Sequence, residues 1–334
     1  MAKPSPSGDL GDAVNPAALA DIKRVLLIGM GGGGDVVGAL GVTDLLDGLG
    51  TDWVLGGVAW ERSPIDPRPG PRSLEEISGG RPCGSAAVLT EGGTTNQDGV
   101  EFSESKMAAH LGSPVLLLDI TRGPTALAHG LAEAATELRC DAVILLDVGG
   151  DVLAHGDEPG LASPLCDAVV LAAGMILARS GERAASAAWT GELLGAVYGP
   201  GCDGELTPGE VLERISELGA AGALLGTWGL TPEGCGLVED AAAVVPTEAS
   251  LMAVRCARGE RGSVPIRSGR RTVELTALGG LTFFFDPLAG ASSALPLATA
   301  VAPAGSLEEA HEALMGMGIR TELDLERARA ASAE

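Results

Sequence analysis

Short apolar runs recur along the chain, each closed by glycine or aspartate and each followed by a stretch with helical spacing. The first is Val25, Leu26, Leu27 and Ile28, ending in glycines. An uninterrupted apolar run of that length reads as a strand buried on both faces. Residues 35–49 place Val36, Leu40, Leu45, Leu46 and Leu49 at helical intervals. Residues 53–60 form a second strand candidate. Ser73-Leu74-Glu75-Glu76 is a capping-box pattern that opens a short helix, and residues 103–111 read as a helix. Next comes the strand 115–118, ending at Asp119, then the helix 124–138 with proline in its first turn. The strand 142–146 ends at Asp147, and the helix 167–178 follows Ser163-Pro164.

The second half keeps this rhythm less strictly. Residues 194–198 read as a strand, and Thr207-Pro208-Gly209-Glu210 caps a helix running to about Leu218. Helices are expected at 232–244 and 246–258. Strands are expected at 271–275 and 281–285, joined as a hairpin around Gly279-Gly280, and at 297–301. Ser306 and Thr321 open the last two helices. Apolar strands alternating with crossover helices imply an α/β fold. The expected architecture is an open, mainly parallel, doubly wound (Rossmann-like) sheet with an elaborated C-terminal half, in which the runs ending at Ile28, Leu118 and Leu146 are neighbouring parallel strands. It fills residues 21–334 as a single domain, after a polar, proline-bearing leader at 1–20.

Composition narrows the function. Of 334 residues, 46% are hydrophobic but only 3% aromatic, so the core is aliphatic. The net charge of −23 repels phosphate backbones at long range and argues against nucleic acid as a partner. A small phosphorylated ligand stays open, because helix ends, a few cations or a bound metal act locally. Cys83, Cys140, Cys166, Cys202, Cys235 and Cys256 are scattered without metal-binding spacing, as expected of free thiols in a reducing cytoplasm. Neither a signal-peptide pattern nor an apolar run of about 18 residues is present, so no membrane partner and a cytoplasmic location are expected. A homo-oligomer stays open.

The sharpest local signal is Gly29, Gly31 and Gly34, which fit G-x-G-x-x-G between a strand and a helix. With Gly32 and Gly33 they form a loop that lets a ligand approach the backbone. The competing reading is a tight packing turn. Asp35, at the helix start, would compete with a pyrophosphate for the same N–H groups unless a cation reconciled them. Glu61 stands where a ribose-binding acid belongs, and Arg62 is suited to a phosphate or carboxylate; an ordinary surface pair is the alternative. A second signal is Asp147-Val148-Gly149-Gly150-Asp151 at a strand's carboxyl end, the edge where open α/β sheets bind ligands. Asp119 should fall on the same edge, and His155 is the histidine best placed for acid–base work. Grouped hard carboxylates suit Mg²⁺ or Ca²⁺, with Asp35, Asp147 and Asp151 as ligands. Residues 199–205 contain further acids but read foremost as a turn before a helix.

Together these segments resemble a prokaryotic family known mainly as a domain of unknown function. The resemblance rests on Gly31-Gly32-Gly33-Gly34-Asp35-Val36-Val37-Gly38, on Trp60-Glu61-Arg62 with Asp66-Pro67 and Pro69-Gly70-Pro71, on Asp147-Val148-Gly149-Gly150-Asp151, and on Ser163-Pro164 with Asp167. It covers most of the chain and implies no settled activity. From the residues, the expectation is an enzyme acting on a nucleotide, nucleoside or phosphosugar by hydrolysis or group transfer. Asp147, Asp151, Asp119 and His155 are its candidate catalytic groups. An NAD-dependent oxidoreductase and a non-catalytic ligand-binding protein are the alternatives.

Overall fold

The computed structural model describes residues 22–63, 65–183, 189–291 and 293–333. The expected leader at 1–20 lies outside them. The strands are β1 (Arg24–Gly29), β2 (Asp52–Val58), β3 (Ile77–Ser78), β4 (Arg81–Pro82), β5 (Ala87–Thr90), β6 (Thr95–Asn96), β7 (Val115–Leu118), β8 (Ala142–Val148), β9 (Glu192–Tyr198), β10 (Leu224–Gly229), β11 (Gly262–Ile266), β12 (Arg271–Leu275) and β13 (Leu281–Phe285). The helices are α1 (Asp35–Gly38), α2 (Thr43–Leu49), α3 (Ser103–Leu111), α4 (Gly123–Leu138), α5 (Pro164–Arg183), α6 (Pro208–Ala220), α7 (Pro232–Ala242), α8 (Glu248–Ala257), α9 (Pro287–Gly290), α10 (Pro296–Val301), α11 (Leu307–Gly316) and α12 (Glu322–Ala333).

Nine strands form one sheet in the order β10-β13-β9-β8-β1-β2-β7-β5-β4. Its centre, β9-β8-β1-β2-β7, is parallel throughout. β13 and β10 extend one edge by antiparallel pairing, and β5 and β4 extend the other. The apolar runs explain the burial. Every residue of β8 is buried, and β1 is buried from Val25 onward. Alternate residues feed two cores on opposite faces. Leu26, Ile28, Val143 and Leu145 pack on the α4, α5, α10 and α11 side, with Leu127, Val169, Leu297 and Leu314. Val25, Leu27, Ile144 and Leu146 pack on the α1, α2, α7 and α8 side, with Val36, Leu45, Val238 and Met252. This is the period-2 alternation of a strand sandwiched between helix layers.

The chain leaves β1 toward one face and β8 toward the other. β1 and β8 are hydrogen-bonded neighbours, with Ile28 opposite Leu145 and Gly29 opposite Leu146. Their diverging connections make the point where an open α/β sheet reverses its winding and leaves a crevice. The open α/β sheet is therefore as the sequence indicates, and four local expectations change. The run ending at Leu118 is parallel to β1 but not beside it, because β2 intervenes. The helix at 35–49 breaks into α1, a 3₁₀ turn at Ala39–Val42 and α2. There a Cβ on Gly38 would run into Val148, and one on Gly41 into the Tyr198 ring. Residues 271–275 pair with β11, while 281–285 enter the main sheet. Residues 297–301 are helical: Pro296 starts the turn, and Leu297, Ala298 and Val301 share its buried face. All six cysteines are free and buried. No helix among the described residues is long and apolar enough to cross a membrane.

After β2 the chain crosses the top of the sheet as a stapled loop. Arg72 and Asp66, both almost fully buried, meet at 2.6 Å, and Asn96 Nδ2 donates to the same Asp66 oxygen at 2.7 Å. The opposite edge of Arg72 donates to the Gly70 carbonyl at 2.8 Å. Asp66→Ala would leave a buried guanidinium without its counter-ion, which typically costs about 3–5 kcal/mol. Urea denaturation of that variant checks the value, and a loss below about 1 kcal/mol would show the staple to be dispensable.

Candidate functional site

The glycines after β1 serve two different ends. A Cβ on Gly29 would sit 2.5 Å from the Asp35 carbonyl carbon and 2.6 Å from the Val36 nitrogen, so this glycine lets α1 lie directly on the end of β1. Gly32 and Gly33 take φ of 76° and 55°, and a Cβ on Gly32 would meet the Trp60 carbonyl at 3.0 Å. The loop thus curls back onto the end of β2. The Gly31 N–H donates to Asp35 Oδ2 at 3.0 Å.

Arg62 ties this loop to the rest of the fold. Its Nη2 donates to the Gly31 carbonyl at 2.5 Å and to Glu322 Oε1 at 3.4 Å, and its guanidinium lies 4.1 Å from the Trp60 ring centre. Nη1 lies 3.8 Å from Glu326 Oε1. Glu322, from α12, also accepts the N–H groups of Leu165 at 3.0 Å and Cys166 at 2.8 Å. A remote carboxylate thus caps the start of α5. That cap fixes the first turn of α5, which carries Asp167.

Two groups of carboxylates result. Asp35, Asp147 and Asp167 each offer an oxygen within 4.8 Å of the others. They come from the start of α1, the end of β8 and the first turn of α5. Asp147 Oδ2 accepts from Gly150 N at 2.8 Å and Val152 N at 3.3 Å. Asp167 is 2% exposed, and its Oδ1 is buried with no partner. The second group is Asp151, Asp203 and Glu205. There Glu205 is answered by Arg271 at 2.8 Å, by the N–H groups of Ala162 and Ser163 at 2.6 and 2.8 Å, and by the Ser163 hydroxyl. The two groups differ in that the second has its own cation and the first keeps an unanswered oxygen. Both line one cavity of about 580 Å³.

Burial sets the proton affinities. It raises Asp35 to about 6, against the pull of the Gly31 N–H and the Arg62 charge. Asp147 rises to about 7, through burial and then the charge of Asp35. Asp151 and Asp167 are pushed well above the usual carboxylate range by burial and then by Asp147.

The cavity gathers most of the residues the sequence singles out. Gly31, Gly32, Gly33, Gly34, Asp35, Glu61, Arg62, Asp147 and Asp151 all line it, and Gly29 lies beneath. Asp119 and His155 are not brought in. Asp119 closes its own turn, accepting from Leu74 N at 2.9 Å, Thr121 N at 2.8 Å and Thr121 Oγ1 at 2.6 Å. With β2 between β7 and β1, it stands off the crevice. His155 turns toward α6, with Nε2 2.9 Å from Glu217. Glu61 is spent largely inward: Oε1 accepts the Ser103 N–H at 2.5 Å and Oε2 is buried without a partner. Behind it both oxygens of Glu104 are buried and unpartnered, and burial followed by the Glu61 charge pushes Glu104 well up.

Asp167, Glu104 and Glu322 are the acids that sequence reasoning does not single out as site groups. Asp167 carried a signal, an acid in the first turn after Ser163-Pro164; the other two carried none. The loop 199–205, expected foremost to be a turn, supplies Asp203 and Glu205.

In cation-free protein these raised acids bind protons that the unfolded chain has already released. The folded state then holds more protons than the unfolded one, so stability falls as pH rises from about 4 to at least 7. Acids with lowered values, such as Glu158, act only below the ordinary 4.5 and leave the upper window alone. In chelator-treated protein Tm should decline between pH 5 and pH 8, and Glu104→Gln should flatten part of that slope. A Tm that climbs across this range would contradict the reading.

Comparison with curated proteins and with solved structures finds no match. A family model described as a protein of unknown function matches residues 26–330, which takes in every segment of the cavity. The chain therefore belongs to the family of proteins of unknown function DUF1152.

Proposed function

We propose that this protein is an enzyme acting on a nucleotide, nucleoside or phosphosugar, by hydrolysis or group transfer assisted by a divalent cation. One observation carries the reading: three carboxylates from three separate elements, Asp147 and Asp167 buried and Asp35 half-buried, converge within 4.8 Å at the sheet's switch point, and one of them has an unanswered buried oxygen. Unpaired charge of that density is costly in a protein interior unless protons or a cation offset it. An all-oxygen set suits Mg²⁺ or Ca²⁺. Asp35, Asp147 and Asp167 would be the ligands, and a cation there would polarise a substrate oxygen. Asp151, raised by burial and by the charge of Asp147 and facing the same cavity, would carry the proton. Gly32 and Gly33 would admit the substrate close to the backbone, with Arg62 holding that loop in shape. Ser103, Ser163 and Thr247 line the same space and would offer it polar groups for sugar hydroxyls.

The oxidoreductase alternative fits less well. In that reading the glycine loop gives its N–H groups to a pyrophosphate. Here Asp35 already takes the Gly31 N–H, and its carboxylate would repel the anion. Glu61, the candidate ribose acid, is bound to Ser103.

Two measurements test the proposal. At cation concentrations about a hundred times Kd, the folded state gains about 2.7 kcal/mol, a Tm rise of several degrees. Mg²⁺, Ca²⁺ or Mn²⁺ should produce that rise in the wild type and at least tenfold weaker binding in Asp167→Asn. Incubation with a panel of nucleotides, nucleosides and phosphosugars, followed by mass spectrometry, should reveal a product. With that substrate Asp151→Asn should lose roughly 10²–10⁴ in turnover, the range for a positioned acid or base, with Tm unchanged or higher. Absence of cation binding together with absence of turnover would sink the proposal.

A further inference from the structure

The cavity mouth holds a strained cationic turn that the carboxylate chemistry leaves unused. Between β11 and β12 the backbone passes through three successive left-handed residues: Arg267 at φ 53°, Ser268 at φ 57° and Gly269 at φ 81°. Side-chain-bearing residues rarely adopt this conformation, and two in succession persist only where surrounding contacts impose it. Those contacts are visible. The Arg267 N–H donates to Glu248 Oε2 at 2.7 Å, and Arg270 Nε donates to the Arg267 carbonyl at 3.0 Å. At the far end Arg271 is held by Glu205 and by the Asp203 carbonyl at 3.3 Å.

The turn is therefore fixed at both ends while its middle faces the cavity. Arg267, Ser268 and Arg270 line it together with the glycine loop. Among the described residues no carboxylate lies within 4.0 Å of the Arg267 guanidinium, and it donates no hydrogen bond. Its charge nevertheless reaches the Asp35 carboxyl and lowers its proton affinity. Strain of this kind collects where a chain holds a group ready for a ligand. An unpaired guanidinium beside an acid-lined cavity is matched in shape and charge to an oxyanion.

We infer that the Arg267–Arg270 turn is an anion subsite that takes the terminal phosphate of the substrate. The choice of phosphate over a carboxylate follows from geometry and charge. Two arginines of one turn can grip a dianion from one side while a cation among the aspartates draws it from the other. A single-charged carboxylate answers only one of them. This deepens the proposed function by naming a phosphorylated substrate, and it rests on that reading for the role of the cation. Because the surrounding walls are acidic, phosphate should bind more tightly once the carboxylates are neutralised.

Isothermal titration at constant ionic strength tests the subsite with inorganic phosphate as probe, with and without saturating Mg²⁺. Wild-type protein should bind phosphate, at least tenfold more tightly with Mg²⁺. Arg267→Gln should lower that affinity at least tenfold while its own Mg²⁺ affinity is not weakened, because the lost charge acted against a cation at Asp35. Arg258→Gln, a cation remote from the cavity and paired with Glu239, serves as the charge control and should bind phosphate as the wild type does. Acetate at the same concentration should not compete. Equal phosphate affinity in wild type and Arg267→Gln, no phosphate binding under either condition, or competition by acetate at equal strength would each overturn the subsite. The Mg²⁺ titration alone reports on the metal reading. If Mg²⁺ fails to bind but phosphate affinity still depends on Arg267, the metal reading fails and the anion subsite stands.

Discussion

Arg62 is the contact on which the arrangement of the site depends. One guanidinium reaches the Gly31 carbonyl in the loop after β1, the Trp60 ring at the end of β2, and Glu322 and Glu326 on α12. It joins the ends of two neighbouring strands to a helix from the far end of the chain. Its positive charge also lies among acids that would otherwise repel one another: Glu322, Asp167 and Asp35 all feel it. A lysine would not serve equally, since a point charge cannot stack on an indole and donate to a carbonyl and a carboxylate in one plane.

The sheet explains why so many acids meet here. Parallel strands send their carboxyl ends to one edge, and the reversal of winding between β1 and β8 leaves that edge uncovered. Any acid that closes a strand or opens a helix at this point faces the same space. Backbone amides at Gly31, Gly150, Val152, Ala162 and Ser163 answer some of the negative charge. Arg271 answers more, around Glu205. What remains unanswered is concentrated on Asp167, Glu61 and Glu104. The unanswered charge therefore lies around the ends of β1 and β2, away from Arg271.

Much of this could be read from the chain. Val25 to Ile28 and Ala142 to Leu146 announce buried parallel strands because both faces are apolar, and Gly29 to Asp35 and Asp147 to Asp151 mark the ends that such strands bring together. Periodicity is silent on which strands become neighbours, so in the sequence Asp119, which also closes an apolar strand, is equivalent to Asp147; in the fold β2 lies between β7 and β1 and separates them. The stretch 297–301 misled because a short apolar run suits a buried strand and a buried helical turn alike. β10 leaves little trace in the sequence because none of its residues is buried and two of the six are glycine. Glu322 escaped notice for another reason. Its role is to cap a helix at Leu165, 157 residues earlier, a relation with no local trace.

That long-range cap has a consequence for the order of events during synthesis. Arg62 and its partner Glu322 are separated by 260 residues, and Trp60 and its partner Glu326 by 266. At a translation rate of roughly 5–20 residues per second, β1, β2, β7 and β8 emerge many seconds before α12 exists. The pairings of β1 with β2 and β8, and of β2 with β7, can form during that interval, while α10 and α11, which cover one face, follow later. The start of α5 and the glycine loop cannot be locked until α12 arrives. On that schedule the clamp on the acidic mouth is among the last contacts of the site that the chain can make.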